Sequence, residues 1–255
     1  MIKKSVRICG ILFLCLISIT CYADCESDQE FTIPPASYPK IQVTGKTESD
    51  FIPANWRKVE SIKDDLNNDG LSDFALAIVE NDPNKIIKDK CGLLRFDSNP
   101  FAIIVLFKQK NGTYKLAAKD FNLIPRLTDP ILDQPFNSIE SKNGVLKISY
   151  HYWQSMGSWT SVGYVFTFRF QQGCLKLIGL DYSTFHRASH EEGLWSANFN
   201  TGKIIETHNF PDATADDPAP EKPTEKRYLI KNNQKMCLGK LPSEDFINNL
   251  IFNQK

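Results

Sequence analysis

The sequence predicts a mainly β protein: an antiparallel sheet or meander, of partial propeller-like or sandwich type, with a C-terminal helix. Two observations favour the sheet. Short apolar runs flank tight turn pairs such as Asn111-Gly112, and an Asn-Gly pair between apolar runs is typical of a β-hairpin. None of these runs has the 3.6-residue period of an amphipathic helix. A third observation predicts the helix, because a capping residue, Ser243, precedes apolar residues at helical spacing near the end of the chain.

The first 23 residues have the composition of a secretory signal peptide. Three basic residues precede an apolar run of about 13 residues, and the small residue Ala23 follows it, so we expect cleavage after Ala23. The run is too short to cross a bilayer as a helix. We therefore expect a periplasmic or secreted protein without a transmembrane span. A lipid anchor at Cys21 is the disfavoured alternative, because Ser18-Ile19-Thr20 matches a lipoprotein cleavage box poorly.

Charge and cysteine content narrow the class of protein. The chain has 30 Lys plus Arg and 30 Asp plus Glu; the first 23 residues hold three of the bases and no acid, so the remainder has a net charge of −3. This balance gives no reason to expect nucleic acid or an anionic membrane as partner. Four cysteines remain, an even number that predicts two disulfides in an oxidising compartment, with three pairings open and free buried cysteines as the alternative. They are Cys25, Cys91, Cys174 and Cys237.

Residues 24–255 divide into four segments. Residues 24–50 are polar and proline-containing, as in an extended arm. Residues 51–205 form the predicted β domain, with strands on both sides of a polar loop and hairpins at the three turn pairs Asn111-Gly112, Asn143-Gly144 and Gln172-Gly173. Residues 206–227 are proline-rich, which indicates a linker or exposed loop. Residues 228–255 hold a last strand and the helix, which we expect to cover a sheet face.

Two strands carry burial predictions. Residues 73–80 are apolar at almost every position, which indicates a strand buried on both faces. In residues 164–170, Tyr164, Phe166, Phe168 and Phe170 alternate with other residues. Because side chains of a strand point to opposite faces in turn, these four predict an aromatic face packed inward.

The loop between the first two strands has the side chains that calcium prefers. Asp65, Asn67, Asp69 and Asp73 occupy positions one, three, five and nine, and Leu71 at position seven can offer its backbone carbonyl. A glycine follows Asp69, where such a loop turns sharply. Position twelve is not the glutamate of an EF-hand but an apolar residue in a strand. The alternative is a loop held by its own Asx turns without metal.

This pattern, D-x-N-x-D-G-x-x-D running into a strand, resembles the calcium loops of FG-GAP and VCBS repeats. The resemblance implies that Asp65, Asn67, Asp69 and Asp73 are side-chain ligands of a structural calcium ion. Since the motif occurs once, a full propeller is not expected. More widely, the chain is similar to uncharacterised secreted bacterial proteins with one such loop, a resemblance that implies no activity. It rests on residues 51–53, Trp56, 143–146, 157–159, 168–170, 177–179 and 198–202.

Two further groups of residues could bind a ligand. Trp153 and Trp159 flank a glycine turn, an arrangement suited to a sugar or peptide platform; alternatively both anchor a loop end in the core. His186 and His190 are four apart and could share zinc on a helix, but the acidic residue of the metalloprotease pattern is missing. A polar insertion between strands explains that segment better.

The sequence favours a non-catalytic exported protein that binds another protein. An immunity or inhibitor protein is one concrete version. No Gly-x-Ser-x-Gly elbow, phosphate loop or dinucleotide fingerprint is present. The alternative is a carbohydrate-binding protein or a hydrolase that uses the aromatic loop near Trp153.

Overall fold

A computed structural model describes residues 31–89, 94–209, 223–230 and 235–253. The strands in the first half of the chain are β1 (Thr44–Gly45), β2 (Trp56–Asp64), β3 (Asp73–Glu80), β4 (Ile86–Lys88), β5 (Arg95–Asp97), β6 (Phe101–Lys108) and β7 (Tyr114–Asp120). The second half contains β8 (Phe136–Lys142), β9 (Val145–Tyr152), β10 (Thr160–Gln171), β11 (Cys174–His186), β12 (Glu192–Asn198), β13 (Lys203–Asn209), β14 (Thr224–Leu229) and the helix α1 (Glu244–Phe252).

The strands form two main sheets that pack face to face. The first sheet has five strands in the order β1-β7-β6-β3-β2, and the second has seven in the order β14-β13-β12-β11-β10-β9-β8. β4 and β5 pair with each other apart from both sheets. Every strand pair in the described residues is antiparallel. The predicted fold class, mainly antiparallel β with a C-terminal helix, is therefore confirmed, in its sandwich-like form.

The central strands of the five-stranded sheet are buried on both faces. On β3, Ala77 and Val79 belong to the core between the two sheets, whereas Leu76 and Ile78 belong to a second core on the opposite face. The second core is closed by the N-terminal arm, whose Ile41 is buried, and by Phe51 immediately after the arm. The prediction of a strand buried on both faces is confirmed for β3.

The inner face of the seven-stranded sheet, turned toward the main core, is aromatic. Tyr164, Phe166 and Phe168 on β10 are buried, as the period of two predicts, and Phe170 is half-buried against Phe107, with ring centroids 5.0 Å apart. Tyr150 on β9 stacks on Tyr164 at 4.7 Å. Burial of each such ring stabilises the fold by roughly 2–3 kcal/mol. It also raises the pKa of the Tyr150 hydroxyl far above its ordinary value.

The C-terminal helix packs on the inner face of the same sheet. Ser243 is its N-cap, and the Ser243 side chain accepts a hydrogen bond from the backbone N–H of Phe246. Ile247 and Ile251 are buried in the main core, and the ring of Phe252 contacts that of Tyr182 at 4.7 Å. The predicted helix and its role as cover for a sheet face are confirmed.

A disulfide fastens the segment before this helix to the second sheet. Cys174, at the start of β11, is bonded to Cys237. The backbone N–H of Leu177 donates to the carbonyl of Met236, and that of Leu238 donates to the carbonyl of Leu175. The structure thus shows one of the two predicted disulfides. Cys25 and Cys91, like the predicted signal peptide 1–23 and the alternative lipid anchor at Cys21, lie outside the described residues.

Strand bounds differ from the prediction around the predicted linker 206–227. β13 continues to Asn209 and β14 begins at Thr224, so both strands reach into the linker range. Polar side chains hold these two strands together: Glu206 accepts a hydrogen bond from the Tyr228 hydroxyl on the neighbouring strand at 2.6 Å and lies 2.7 Å from Nε2 of His208 on its own strand. Residues 210–222 lie outside the description. No helix in the described residues is long and apolar enough to span a membrane.

Candidate functional site

The loop of residues 65–73, here called the cation loop, is held by hydrogen bonds from its backbone to its own side chains. Asp65 accepts from the N–H groups of Asp69 and Gly70 at 3.1 and 2.8 Å. Asn67 Oδ1 accepts from the same Asp69 N–H at 3.0 Å, and Asp69 Oδ1 accepts from Leu71 N–H at 2.8 Å. Oxygens of Asp65 and Asn67 therefore converge on one point of the backbone.

The fourth predicted side-chain ligand has a different setting. The Asp73 carboxylate is buried, and its two oxygens accept hydrogen bonds from the backbone N–H groups of Leu66, at 3.0 Å, and Lys108, at 2.8 Å. Burial raises the pKa of Asp73 to about 6, against the lowering effect of these bonds. Asp73 thus ties the cation loop to the end of β6, a role that its sequence position did not reveal.

The fit of calcium to this loop is partial. Asp65, Asn67 and Asp69 are near one another on the exposed part of the loop, but Asp73 is turned to the interior. Within the residues that the structure describes, no three His, Cys, Asp or Glu side chains form a group that could hold a metal ion. The backbone-to-side-chain hydrogen bonds of the loop are those expected for the alternative, a loop held by its own Asx turns. Calcium binding remains a prediction.

The cation loop lies where the two sheets meet. Asp64, immediately before it, accepts hydrogen bonds from the Ser141 hydroxyl at 2.5 Å and the Gly144 N–H at 3.2 Å. These bonds from the β8–β9 hairpin hold the pKa of Asp64 below its ordinary value. A Cβ on Gly144 would lie 3.0 Å from the Asp65 carbonyl oxygen. The loop and the hairpin therefore pack in direct contact, and each supports the other.

Trp153 and Trp159 are exposed at the other end of β9. They belong to residues 153–159, here called the aromatic loop, and their exposed fractions are 36% and 65%. Between them lies Arg187, whose guanidinium carbon is 4.9 Å from the Trp153 ring centroid and 5.7 Å from that of Trp159. These exposed fractions disagree with the alternative prediction that both tryptophans anchor the loop in the core.

Arg187 also holds the backbone of the aromatic loop. Its Nη2 donates to the carbonyls of Gln154, at 3.0 Å, and Ser158, and its backbone N–H donates to the Trp159 carbonyl at 2.9 Å. On the other side, Ser155 N–H donates to the Ile131 carbonyl at 2.9 Å. Sequence reasoning missed Arg187, because a single arginine 28 residues beyond Trp159 gives no local signal.

The aromatic loop borders a cleft of about 1090 Å³ on the seven-stranded sheet. The cleft lies on the outer face, the face opposite the aromatic inner one. Its floor is formed by two rows of paired residues that cross several strands. One row is Ser161, Phe185, Glu192 and Asn209; the other is His151, Gly163, Ser183, Leu194 and Thr207.

Small side chains in the middle of the floor create this cleft. Ser161, Gly163 and Ser183 are neighbours there, and a Cβ on Gly163 would already lie 2.8 Å from Ser183 Oγ. Larger side chains, Trp153 and Phe185 among them, line the same space. Sequence reasoning identified Trp153 but not the cleft, because its floor depends on the register of five strands.

His186 is the last residue of β11 and His190 lies in the turn that leads to β12, so neither is on a helix. His190 has a left-handed backbone conformation (φ 59°), and its N–H donates to the His186 carbonyl at 2.8 Å. His186 Nδ1 is 2.7 Å from the hydroxyl of Ser189. This is the polar connection between strands that the sequence favoured over a zinc site.

No protein-family model, curated protein or solved structure matches the chain.

Proposed function

We propose that this chain is an exported, non-catalytic protein that binds another protein through the outer face of its seven-stranded sheet. One observation carries the proposal: large apolar side chains on that face are more than a third exposed. Phe185, Leu194, Ile205 and Leu229 have exposed fractions of 38%, 42%, 38% and 67%. Apolar groups that share one face favour a protein interface, because their removal from water stabilises a complex.

Exposed residues of the aromatic loop, which borders the cleft on this face, add to the same surface. Trp159 and Met156 are 65% and 63% exposed. Tryptophan is enriched among residues that dominate binding energy, and methionine adapts to irregular partner surfaces. Arg187 restrains the loop, so that less conformational freedom is lost when a partner binds.

A pair of matched variants tests this proposal. Ile205→Asp places a charge on the outer face beyond the residues that line the cleft, and Val59→Asp places the same charge on β2 at nearly equal exposure, 38% against 40%. Both variants and the unaltered chain serve as bait in extracts of the producing cells, and the retained protein is quantified. We expect a stoichiometric partner that Ile205→Asp loses and Val59→Asp keeps. Equal retention by both variants would contradict the assignment of this face.

An immunity or inhibitor protein is the narrower form of this proposal. A secreted toxin would then be the partner, and the retained protein would be inhibited when the complex forms. An in vitro assay of the toxin with Ile205→Asp and Val59→Asp would separate inhibition from mere binding, since only the second variant should inhibit.

Calcium binding at the cation loop is part of the proposal as a structural feature. Asp65, Asn67 and Asp69 would supply side-chain oxygens and Leu71 its carbonyl, while Asp73 anchors the loop through backbone N–H groups. We expect millimolar calcium to raise the melting temperature of the chelator-treated protein and to release heat in calorimetry. Asp69→Ala should remove both effects.

Asp129→Ala is the control for Asp69→Ala. Asp129 Oδ1 accepts from the N–H two residues later at 3.0 Å, as Asp69 Oδ1 does at 2.8 Å, but Asp129 lies outside the cation loop. Any general effect of losing an Asx turn is therefore common to both variants. If the unaltered chain shows neither heat nor a thermal shift, the loop is held by its own hydrogen bonds alone.

Glycan binding is the second candidate function, favoured by Trp153. An exposed indole that lines a cleft together with hydroxyl and amide side chains suits a sugar ring. A glycan array should then show a ligand that Trp153→Ala loses, whereas Leu229→Asp, on the outer face but not among the cleft-lining residues, should keep it.

A further inference from the structure

We propose that the cleft on the outer face receives an arginine or lysine side chain of the protein partner. This inference rests on the proposed function and names the chemistry that the partner brings. It follows from the charge, the shape and the hydrogen-bond acceptors of the cleft.

The charge of the cleft is negative. Two carboxylates line it, Asp133 beside the aromatic loop and Glu192 on β12, and no lysine or arginine is among the described residues that line it. His151 is the remaining ionisable side chain with a place in the lining, and its Nε2 is 3.9 Å from Asp133 Oδ2. Side chains of one sign in a concave site concentrate their field there and attract a cation.

The shape of the cleft suits a long side chain with a charged end. Its floor is low at Gly163 and Ser183, and aromatic or aliphatic groups of Trp153, Phe185 and Leu194 line the same space. Arginine and lysine combine an apolar stem with a cationic head. The stem can pack on the apolar groups while the head reaches a carboxylate, and an exposed aromatic ring adds a cation–π contact.

The hydrogen-bonding groups of the cleft also favour a donor. The ionised carboxylates of Asp133 and Glu192, which line the cleft, accept hydrogen bonds and cannot donate them. Guanidinium and ammonium groups donate and do not accept, so they match the two charged acceptors of this site.

Three peptides probe the site. The first is acetyl-Gly-Arg-Gly-Arg-Gly-amide; the second has citrulline in place of arginine, which keeps shape and removes charge; the third has glutamate. Binding is followed by tryptophan fluorescence and calorimetry at low and high salt. We expect the arginine peptide to bind at least tenfold more tightly than the citrulline peptide, with affinity that falls as salt rises.

Variants locate the binding. Glu192→Gln should weaken the arginine peptide about two- to fivefold, as expected for a partly exposed ion pair, and Glu192→Gln with Asp133→Asn should weaken it further. Glu140→Gln is the control, an exposed acid on β8 outside the cleft. Ser183→Phe should abolish binding by filling the floor. If that variant fails to fold, the two charge variants, at exposed positions, still decide.

The outcomes separate this inference from the proposed function. If the citrulline peptide binds as well as the arginine peptide, or if Glu192→Gln and Glu140→Gln behave alike, the inference is wrong even when Ile205→Asp still loses the protein partner. If chitohexaose or maltohexaose binds instead and Trp153→Ala abolishes it, the cleft is a glycan site and the inference is overturned. If Ile205→Asp keeps the partner while the arginine peptide binds, the proposed interface fails, but the cleft is still shown to bind a cationic side chain.

Discussion

Removal of the Cys174–Cys237 disulfide should lower the free energy of unfolding by about 4 kcal/mol. The two cysteines are 63 residues apart in sequence. In the chain-entropy description, a crosslink that closes a loop of this length removes about 14 cal/mol/K of entropy from the unfolded state, which corresponds to about 4 kcal/mol at 25 °C. The perturbation is the double variant Cys174→Ala with Cys237→Ala. A single variant would leave a free thiol able to exchange with Cys25 or Cys91.

The full loss is expected because the segment beyond Cys237 is part of the main core. Met236 and Leu238 beside the disulfide are buried, as are Ile247 and Ile251 on α1. This segment therefore unfolds with both sheets, not before them. If it detached alone, the crosslink would stabilise only that local step and the global free energy would change little.

Urea denaturation of the oxidised chain and of the double variant measures the difference. Tryptophan fluorescence and far-ultraviolet circular dichroism should give coincident transitions, since one cooperative unit is expected. A loss below about 1 kcal/mol at unchanged slope would refute the reasoning about the closed loop. Two separate transitions in the variant would instead refute the assignment of residues 235–253 to the main core.

Three further outcomes are expected. Gly239→Ala should destabilise by more than about 2 kcal/mol, because its Cβ would lie 2.3 Å from the Lys119 carbonyl oxygen; Gly112→Ala, at the same φ of 84° with open space, should cost only about 1 kcal/mol in thermal melts. Arg187→Ala should change the near-ultraviolet dichroism of Trp153 and Trp159 and speed proteolysis of the aromatic loop, with global stability lowered by only about 1–2 kcal/mol. Burial favours a raised pKa for Glu206, but hydrogen bonds from Tyr228 and His208 outweigh it and hold that pKa below the ordinary 4.5. The ionised carboxylate therefore stabilises the fold above pH 4.5, and this stabilisation is lost as pH falls through the lower folded-state pKa. In urea denaturation between pH 3 and 6, the free energy of unfolding of Glu206→Gln should lack this pH-dependent contribution.

Features that depend on neighbours in sequence were predictable. The hairpin at Asn143-Gly144 follows from two adjacent residues that adopt φ of 54° and 71°, as a tight turn between paired strands requires. The burial of β3 follows from the apolar residues of one strand. The C-terminal helix follows from Ser243 and the spacing of the residues after it. In each, the information needed lies within about ten residues.

Features that depend on distant partners were not predictable. The end of β13 lies in a proline-rich segment that predicts a linker, and only the structure shows that Glu206 bonds Tyr228, 22 residues away. Asp73 looks like a metal ligand until its oxygens are seen to bond the backbone at Leu66 and Lys108. The sequence alone does not show whether a polar side chain bonds to water, to a metal ion or to another part of the chain.

The two candidate sites occupy opposite ends of one strand, which separates their roles. The cation loop packs against the hairpin that precedes β9, and the aromatic loop follows its last residue. Eight residues of strand correspond to a separation of roughly 27 Å. A change in the cation loop therefore cannot touch a ligand in the cleft, and it can act there only through the stability of the joined sheets. Asp69→Ala should accordingly lower any stabilisation by calcium and leave the affinity of the arginine peptide unchanged at temperatures well below melting. A folded Asp69→Ala variant that loses peptide affinity would show that the cation loop takes part in binding.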